Sequence, residues 1–272
     1  MTFSLPLYDS DRAPPAKRVV LVTVDDFPCP SDQTALINYE RLCERGARAT
    51  MKVRTGNDRH MRWLPLVTGL SRSAQSSSRQ AVERVEPVPK SITSAGFQTA
   101  AFLPEVDPQT RARLQLVGRQ LGFQHISFRG TSSPDILRSA VPALCNQRRG
   151  LIVIHFPHIE DESAQQWRSM DFLGHAGRVD QSLGILTSLS GALSGDTVLV
   201  VATSPTCEGA SLDPSAEIDL NVAFCGKAIT ASSFDRIGMV DVSATIMWML
   251  GLSIPLGHEG KPIAPLQYAE SL

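Results

Sequence analysis

The sequence predicts an α/β protein built on a mostly parallel sheet with helices on both faces. Three observations carry that expectation. The runs VVLVTV (19–24), GLIVIHF (150–156) and DTVLVVATS (196–204) are apolar without alternation, the pattern of strands covered on both sides. Stretches with helical spacing lie between such runs. No internal repeat or linker breaks the order, so residues 19–272 are expected to form a single domain behind a flexible lead-in at 1–18.

The elements follow in chain order. The first strand ends in the paired carboxylates Asp25 and Asp26. From 34 to 46, Leu36, Tyr39 and Leu42 recur at helical spacing, and Gly46 suits the position after a helix end. Residues 71–90 are polar, Ser-rich and then punctuated by proline, which reads as a loop or insert. LGFQHISF and GLIVIHF read as strands. Phe172, Ala176, Val179, Leu183, Leu186 and Leu193 mark one face of a long helix. DTVLVVATS is a buried strand, IDLNVAFCG follows it, and VDVSATIMWMLGL closes the chain as a helix.

Composition narrows the function classes. With 272 residues, 42% of them hydrophobic and 19% charged, the chain can bury a substantial core. A net charge of −1 argues against a nucleic-acid partner. No apolar run approaches the roughly 20 residues that span a bilayer, so no membrane role is expected. The first residues lack the basic start and apolar block of a secretory signal. Cys29, Cys43, Cys145, Cys207 and Cys225 are scattered and odd in number, which fits reduced thiols and a cytoplasmic location.

From Gly46 to Gly69 the chain reads GARATMKVRTGNDRHMRWLPLVTG, after a strand ending in two carboxylates and the helix-like YERLCERG. That order resembles the opening of the alkaline phosphatase superfamily, in its sulfatase and phosphodiesterase branch. SITSAGFQTAAFLPE is similar to that family's helix end, glycine–aromatic turn and next strand. FDRIGMVDVSATIMWMLGLSIPLGHEGKPIAPL is similar to its closing segment. The resemblance runs along nearly the whole chain, weakest at 71–90, and implies a compact version of the alkaline-phosphatase fold.

The same resemblance implies a metal-binding strand end at Asp25 and Asp26, and a Cys, Ser or Thr nucleophile ten residues before the glycine of the Leu-x-Thr-Gly turn. Counting back from Gly69 reaches Arg59, which cannot be that nucleophile. The family's following proline and arginine fall on Met61 and Trp63. The strand that should end in an Asp-His-Gly metal motif has Pro205 and Thr206 in the Asp and His positions, followed by Cys207 and Glu208. Proline has no side-chain donor, and threonine is a poor substitute for imidazole. Loss of the nucleophile together with this motif is hard to reconcile with two-metal hydrolysis.

What replaces the nucleophile is dense in donors: Arg54, Asn57, Arg59, His60 and Arg62, with Asp58 among them. An arginine fork binds carboxylate, phosphate or sulfate without metal, and His60 is a proton carrier near neutral pH. A solvated polar loop would have the same composition. In IHFPHIEDES, His155, His158, Glu160 and Asp161 supply metal-type atoms without reproducing the family's Asp-to-His spacing. His155 also fits a buried core histidine. His258, in LGHEGKP, is a further candidate proton carrier, or a turn residue. His175 and His125 are assigned to a helix surface and to strand structure.

The leading expectation is a repurposed enzyme that uses metal-independent acid–base or electrostatic catalysis on a small, anionic organic substrate. Asp25 is the expected base, Arg59 the anion binder, His60 the proton donor and His158 a second proton carrier. Asp26, Arg54, Asn57, Arg62, His155, Glu160, Asp161 and His258 are the expected substrate contacts. No cofactor is expected, and a divalent metal is disfavoured. The alternatives are a non-catalytic protein that binds a ligand or partner in the same crevice, and a divergent metal-dependent phosphodiesterase or sulfatase with relocated ligands.

Overall fold

The continuous apolar runs form the centre of the sheet, because only strands covered on both faces can carry apolar side chains at every position. A computed structural model describes residues 16–27, 36–54, 63–69, 86–157, 170–191, 195–205 and 217–263. Its strands are β1 (Arg18–Phe27), β2 (Ala47–Arg54), β3 (Gln98–Leu103), β4 (His125–Phe128), β5 (Gly150–Phe156), β6 (Thr197–Pro205), β7 (Glu217–Cys225) and β8 (Ser232–Ile237). They form one sheet in the order β4-β3-β5-β1-β6-β7-β2-β8. Only the pairings of β7 with β6 and with β2 are antiparallel. The other strands therefore all point the same way, and the carboxyl ends of β1, β2, β5 and β6 lie along one edge.

The helices are α1 (Ile37–Arg45), α2 (Pro65–Thr68), α3 (Val88–Ser94), α4 (Pro108–Gln120), α5 (Ser133–Asn146), α6 (Met170–Ser190) and α7 (Met239–Met249). One face of the sheet, with Val20, Val22, Ile152 and Ile154, packs under α1, α5 and α6. The other, with Val19, Leu21, Leu151 and Val153, packs under α2, α3, α4 and α7. Helices thus cover both faces, as the strand composition requires.

Local chemistry starts and stops these helices. Asp107 caps α4, its Oδ1 accepting the N–H groups of Gln109 and Thr110 at 3.0 Å each, with Pro108 in the first turn. Ser132 caps α5 in the same way through the N–H of Asp135. α1 has no cap of its own. Its first N–H groups are met by the buried Asp180 of α6, which accepts from Asn38 N at 3.2 Å and Tyr39 N at 2.9 Å. A carboxylate at a helix N-terminus also complements the helix dipole, so this contact both caps α1 and docks it on α6.

The structure differs from the sequence expectations in several places, beginning with the expected lead-in at 1–18, where Ala16 is buried and Arg18 opens β1. Residues 88–90 are helical rather than loop: Pro87 and Pro89 flank the start of α3, where a missing N–H costs nothing. The helix expected at 34–46 is Ile37–Arg45. The long helix runs Met170–Ser190, ends at the left-handed Gly191 (φ 66°), and Leu193 lies outside the described residues. β2, α4, α5 and β8 were not anticipated. No helix among the described residues is long and apolar enough to cross a membrane.

Candidate functional site

At the carboxyl edge, β1 and β5 pair in parallel with Thr23 opposite His155. Strand alternation places Thr23, Asp25 and His155 on the sheet face that α2, α3, α4 and α7 cover. All three are buried: Asp25 is 3% exposed and His155 2%. The His155 ring is held at one nitrogen, with Nδ1 2.9 Å from Thr23 Oγ1. Its other nitrogen, Nε2, lies 3.7 Å from Asp25 Oδ2, a distance suited to an ion pair but too long for a direct hydrogen bond. Two groups that can exchange a proton are thereby set side by side where open α/β sheets place their ligands.

Thr23 was missed by the sequence reasoning, although a signal existed. It precedes Asp25 by two residues, so it shares that residue's face of the strand. Its link to His155 depends on which strand lies beside β1.

Arg54 ends β2, opposite Glu217 at the start of β7. β2 stands three places from β1 in the sheet, about 14 Å at ordinary strand spacing. Asp26 and Pro205 also fall on this edge, as part of β1 and as the last residue of β6. Asn57, Asp58, Arg59, His60 and Arg62 lie outside the described residues, as do His158, Glu160, Asp161, Thr206, Cys207 and Glu208.

His258 is described, and both its ring nitrogens are engaged. Gly260 N donates to Nδ1 at 3.0 Å, and Nε2 lies 3.0 Å from Ser243 Oγ. Burial lowers its pKa, opposed by the charges of Asp241 and Glu259. Of the other histidines, His175 lies on α6, while exposed His125 opens β4 and stacks at a tilt on Phe102. Cys225 is a poor nucleophile, since burial pushes its thiol pKa up to about 11.

Elsewhere, a groove of about 760 Å³ lies between α1 and the β2–β7–β8 end of the sheet, lined by Glu40, Glu44, Arg48 and Asn221 among others. It is separate from the Asp25–His155 pair.

Among the described residues no three His, Cys, Asp or Glu side chains gather as a metal centre would require. Asp25 and His155 provide two donors, and Pro205 has no ligand atom in its side chain. The described residues therefore do not fit a two-metal site.

Comparison with known proteins supports the fold. No protein-family model matches the chain, and no curated protein matches it. Solved structures match strongly in shape. A protein of the alkaline phosphatase superfamily from Vibrio parahaemolyticus superposes with a TM-score of 0.68 at 15% identity, covering 95% of this chain and 74% of that one. BT4656, solved with its substrate D-glucosamine-2-N,6-O-disulfate, gives 0.69 at 13% identity, covering 94% and 81%. The phosphonate monoester hydrolase of Agrobacterium radiobacter gives 0.63 at 13% identity, covering 92% and 77%. At such identities the likeness concerns fold, and sites must be argued from residues.

Proposed function

From a chain with the alkaline-phosphatase-superfamily fold, we propose an enzyme that performs acid–base chemistry on a small anionic organic substrate at the carboxyl edge of the sheet. The observation that carries this reading is the buried Asp25–His155 pair, 3.7 Å apart, with His155 fixed from behind by Thr23. Asp25 is the base. His155 lies beside it as the neighbouring titratable group. The anion is supplied with partners by Arg54, Asn57, Arg59 and Arg62, while His60 and His158 donate and carry protons; these roles rest on sequence. The matched reaction classes are isomerisation, cyclisation, elimination and transfer. Two structural neighbours are a phosphonate monoester hydrolase and a protein solved with a sulfated sugar, which supports an anionic substrate.

The test is a panel of small carboxylates, phosphates and sulfates, followed by NMR in deuterated water for turnover or solvent-proton exchange. Asp25→Asn should lower kcat/KM for any active compound about 100-fold or more, with an unchanged circular dichroism spectrum. Full activity in that variant overturns the assignment. Anion binding without turnover, indifferent to Asp25, would identify a ligand-binding protein instead.

The 3.7 Å separation also favours a second reading, a divergent metal-dependent hydrolase. One carboxylate oxygen and one imidazole nitrogen that far apart can both reach a single ion at about 2.0–2.2 Å. Its remaining ligands would have to come from elsewhere than Pro205. Elemental analysis of protein purified without chelator and offered zinc, manganese, magnesium and calcium decides it. Near-stoichiometric metal, lost in Asp25→Asn, establishes this reading; absence of retained metal in wild type removes it.

A further inference from the structure

His258 joins three parts of the molecule. Its imidazole sits over Gly69, the left-handed residue (φ 69°) that ends α2, so closely that a Cβ there would collide with the ring. The neighbouring Glu259 N donates to Gly69 O at 3.2 Å. On the other side, the segment is tied to α7: Lys261 N donates to Asp241 Oδ1 at 2.8 Å, and Ile263 N to Thr245 Oγ1 at 3.0 Å. A Cβ on Gly260 would collide with Val240 O, so this strap lies directly against the start of α7.

The hydrogen bonds assign every proton. Gly260 N–H can only donate, so Nδ1 is unprotonated and accepts. Neutral His258 then carries its proton on Nε2 and donates to Ser243 Oγ, which in turn donates to Val240 O at 2.7 Å. A second proton on Nδ1 would set N–H against the N–H of Gly260. Protonation therefore removes one of the bonds that close the strap.

We propose that His258 is a positioning residue that works as an acid-sensitive latch. In its neutral form it holds the 258–263 strap and the α2 turn together, and protonation releases them. In sequence, the α2 turn follows residues 55–62. The proposal rests on the reading above for its functional meaning, but not for its test.

The sign follows from the burial of the ring, which lowers its pKa below the ordinary 6.5. The stabilisation is complete above that ordinary value and is lost as pH falls through the lower folded value. Asp241 and Glu259 are the charged groups that face the ring from α7 and the strap, and both oppose the lowering. α2, with the sequence PLVT, brings no charged group.

Amide hydrogen exchange over residues 63–69 and 257–263, corrected for the intrinsic pH effect, tests this without any substrate. In wild type, protection should fall about tenfold as His258 titrates, as expected for loss of one part-buried hydrogen bond. His258→Asn keeps an acceptor near the Nδ1 position and should remain protected with no such step. His258→Ala should be unprotected at every pH. If His258→Ala does not fold, the wild-type and His258→Asn pair still decides, together with an NMR titration of the His258 ring. A wild-type pH response equal to that of His258→Asn overturns the latch. If an activity is found, its acidic limb should shift in His258→Asn, whereas Asp25→Asn lowers it at all pH values. A failed latch and a failed active-site assignment are thereby told apart.

Discussion

The two edges of the same sheet use their polar groups in opposite ways. At the amino edge, Arg18 of β1 donates to Leu144 O and Gln147 O at the end of α5, to Ser190 O at the end of α6, and to Thr197 Oγ1 of β6. Helix C-termini leave carbonyls without intrahelical partners, and one guanidinium satisfies several of them on two helices at once. Burial lowers the pKa of Arg18, yet arginine remains charged and fixed in place. At the carboxyl edge the buried polar groups face one another: Thr23, His155 and Asp25 form a side-chain series in which both the imidazole and the carboxylate can change protonation state. The carboxyl-edge groups are buried and Arg18 is half-buried, so desolvation is common to both edges. The difference lies in whether the partners are backbone atoms, which fix a structure, or titratable side chains, which leave chemistry available.

Arg18→Ala should break the comparison most severely, because it leaves carbonyls of two helix ends unmet. An expected loss of about 2–4 kcal/mol is read by urea unfolding, with any activity per folded molecule unchanged. Arg18→Lys should recover less than half, since a single ammonium cannot span both helix ends. Asp25→Asn should do the reverse, moving stability by less than about 1 kcal/mol while lowering turnover. If Asp25→Asn instead destabilised the fold as much as Arg18→Ala and left turnover intact, the carboxyl edge would be structural too.

Thr23→Val refines the contrast at nearly constant volume. It removes the hydroxyl beside His155 Nδ1, so it should cost about 1 kcal/mol of stability and lower kcat more than it raises KM. An unchanged kcat with the same stability cost would show that Thr23 merely satisfies a buried ring. The smallest effect concerns the strap: Ser243→Ala removes the acceptor of His258 Nε2–H and should reduce protection at 257–263 by only a few-fold.

Much of the fold was legible because the physics that writes it is local. Val19, Val20, Leu21 and Val22 face both layers, so their uninterrupted apolarity announces a central strand. The opposite case is β2, where Ala47, Ala49 and Met51 are buried while Arg48 and Thr50 line the groove beside α1. Its alternation was present in ARATMKVR but sat within a segment read for its chemistry. α4 and α5 likewise carry cap-and-proline starts at Asp107-Pro108 and Ser132-Ser133-Pro134, signals that short-range reasoning can use.

The site was legible only in part. Asp25 and His155 were recognisable as titratable residues at strand ends. His258 read as a candidate proton carrier, whereas its two nitrogens hold Gly260 and Ser243.

The sequence by itself determined the layered α/β class and the position of Asp25 at a strand end. Each depends on residue type and short spacing. Only the tertiary structure decided that Thr23 and Asp25 share His155, that Arg18 closes two helices, and that His258 belongs to a strap against Gly69. Those contacts join residues more than a hundred positions apart in all three cases. Which strand lies beside which is a property of the whole packed sheet, and no local pattern specifies it.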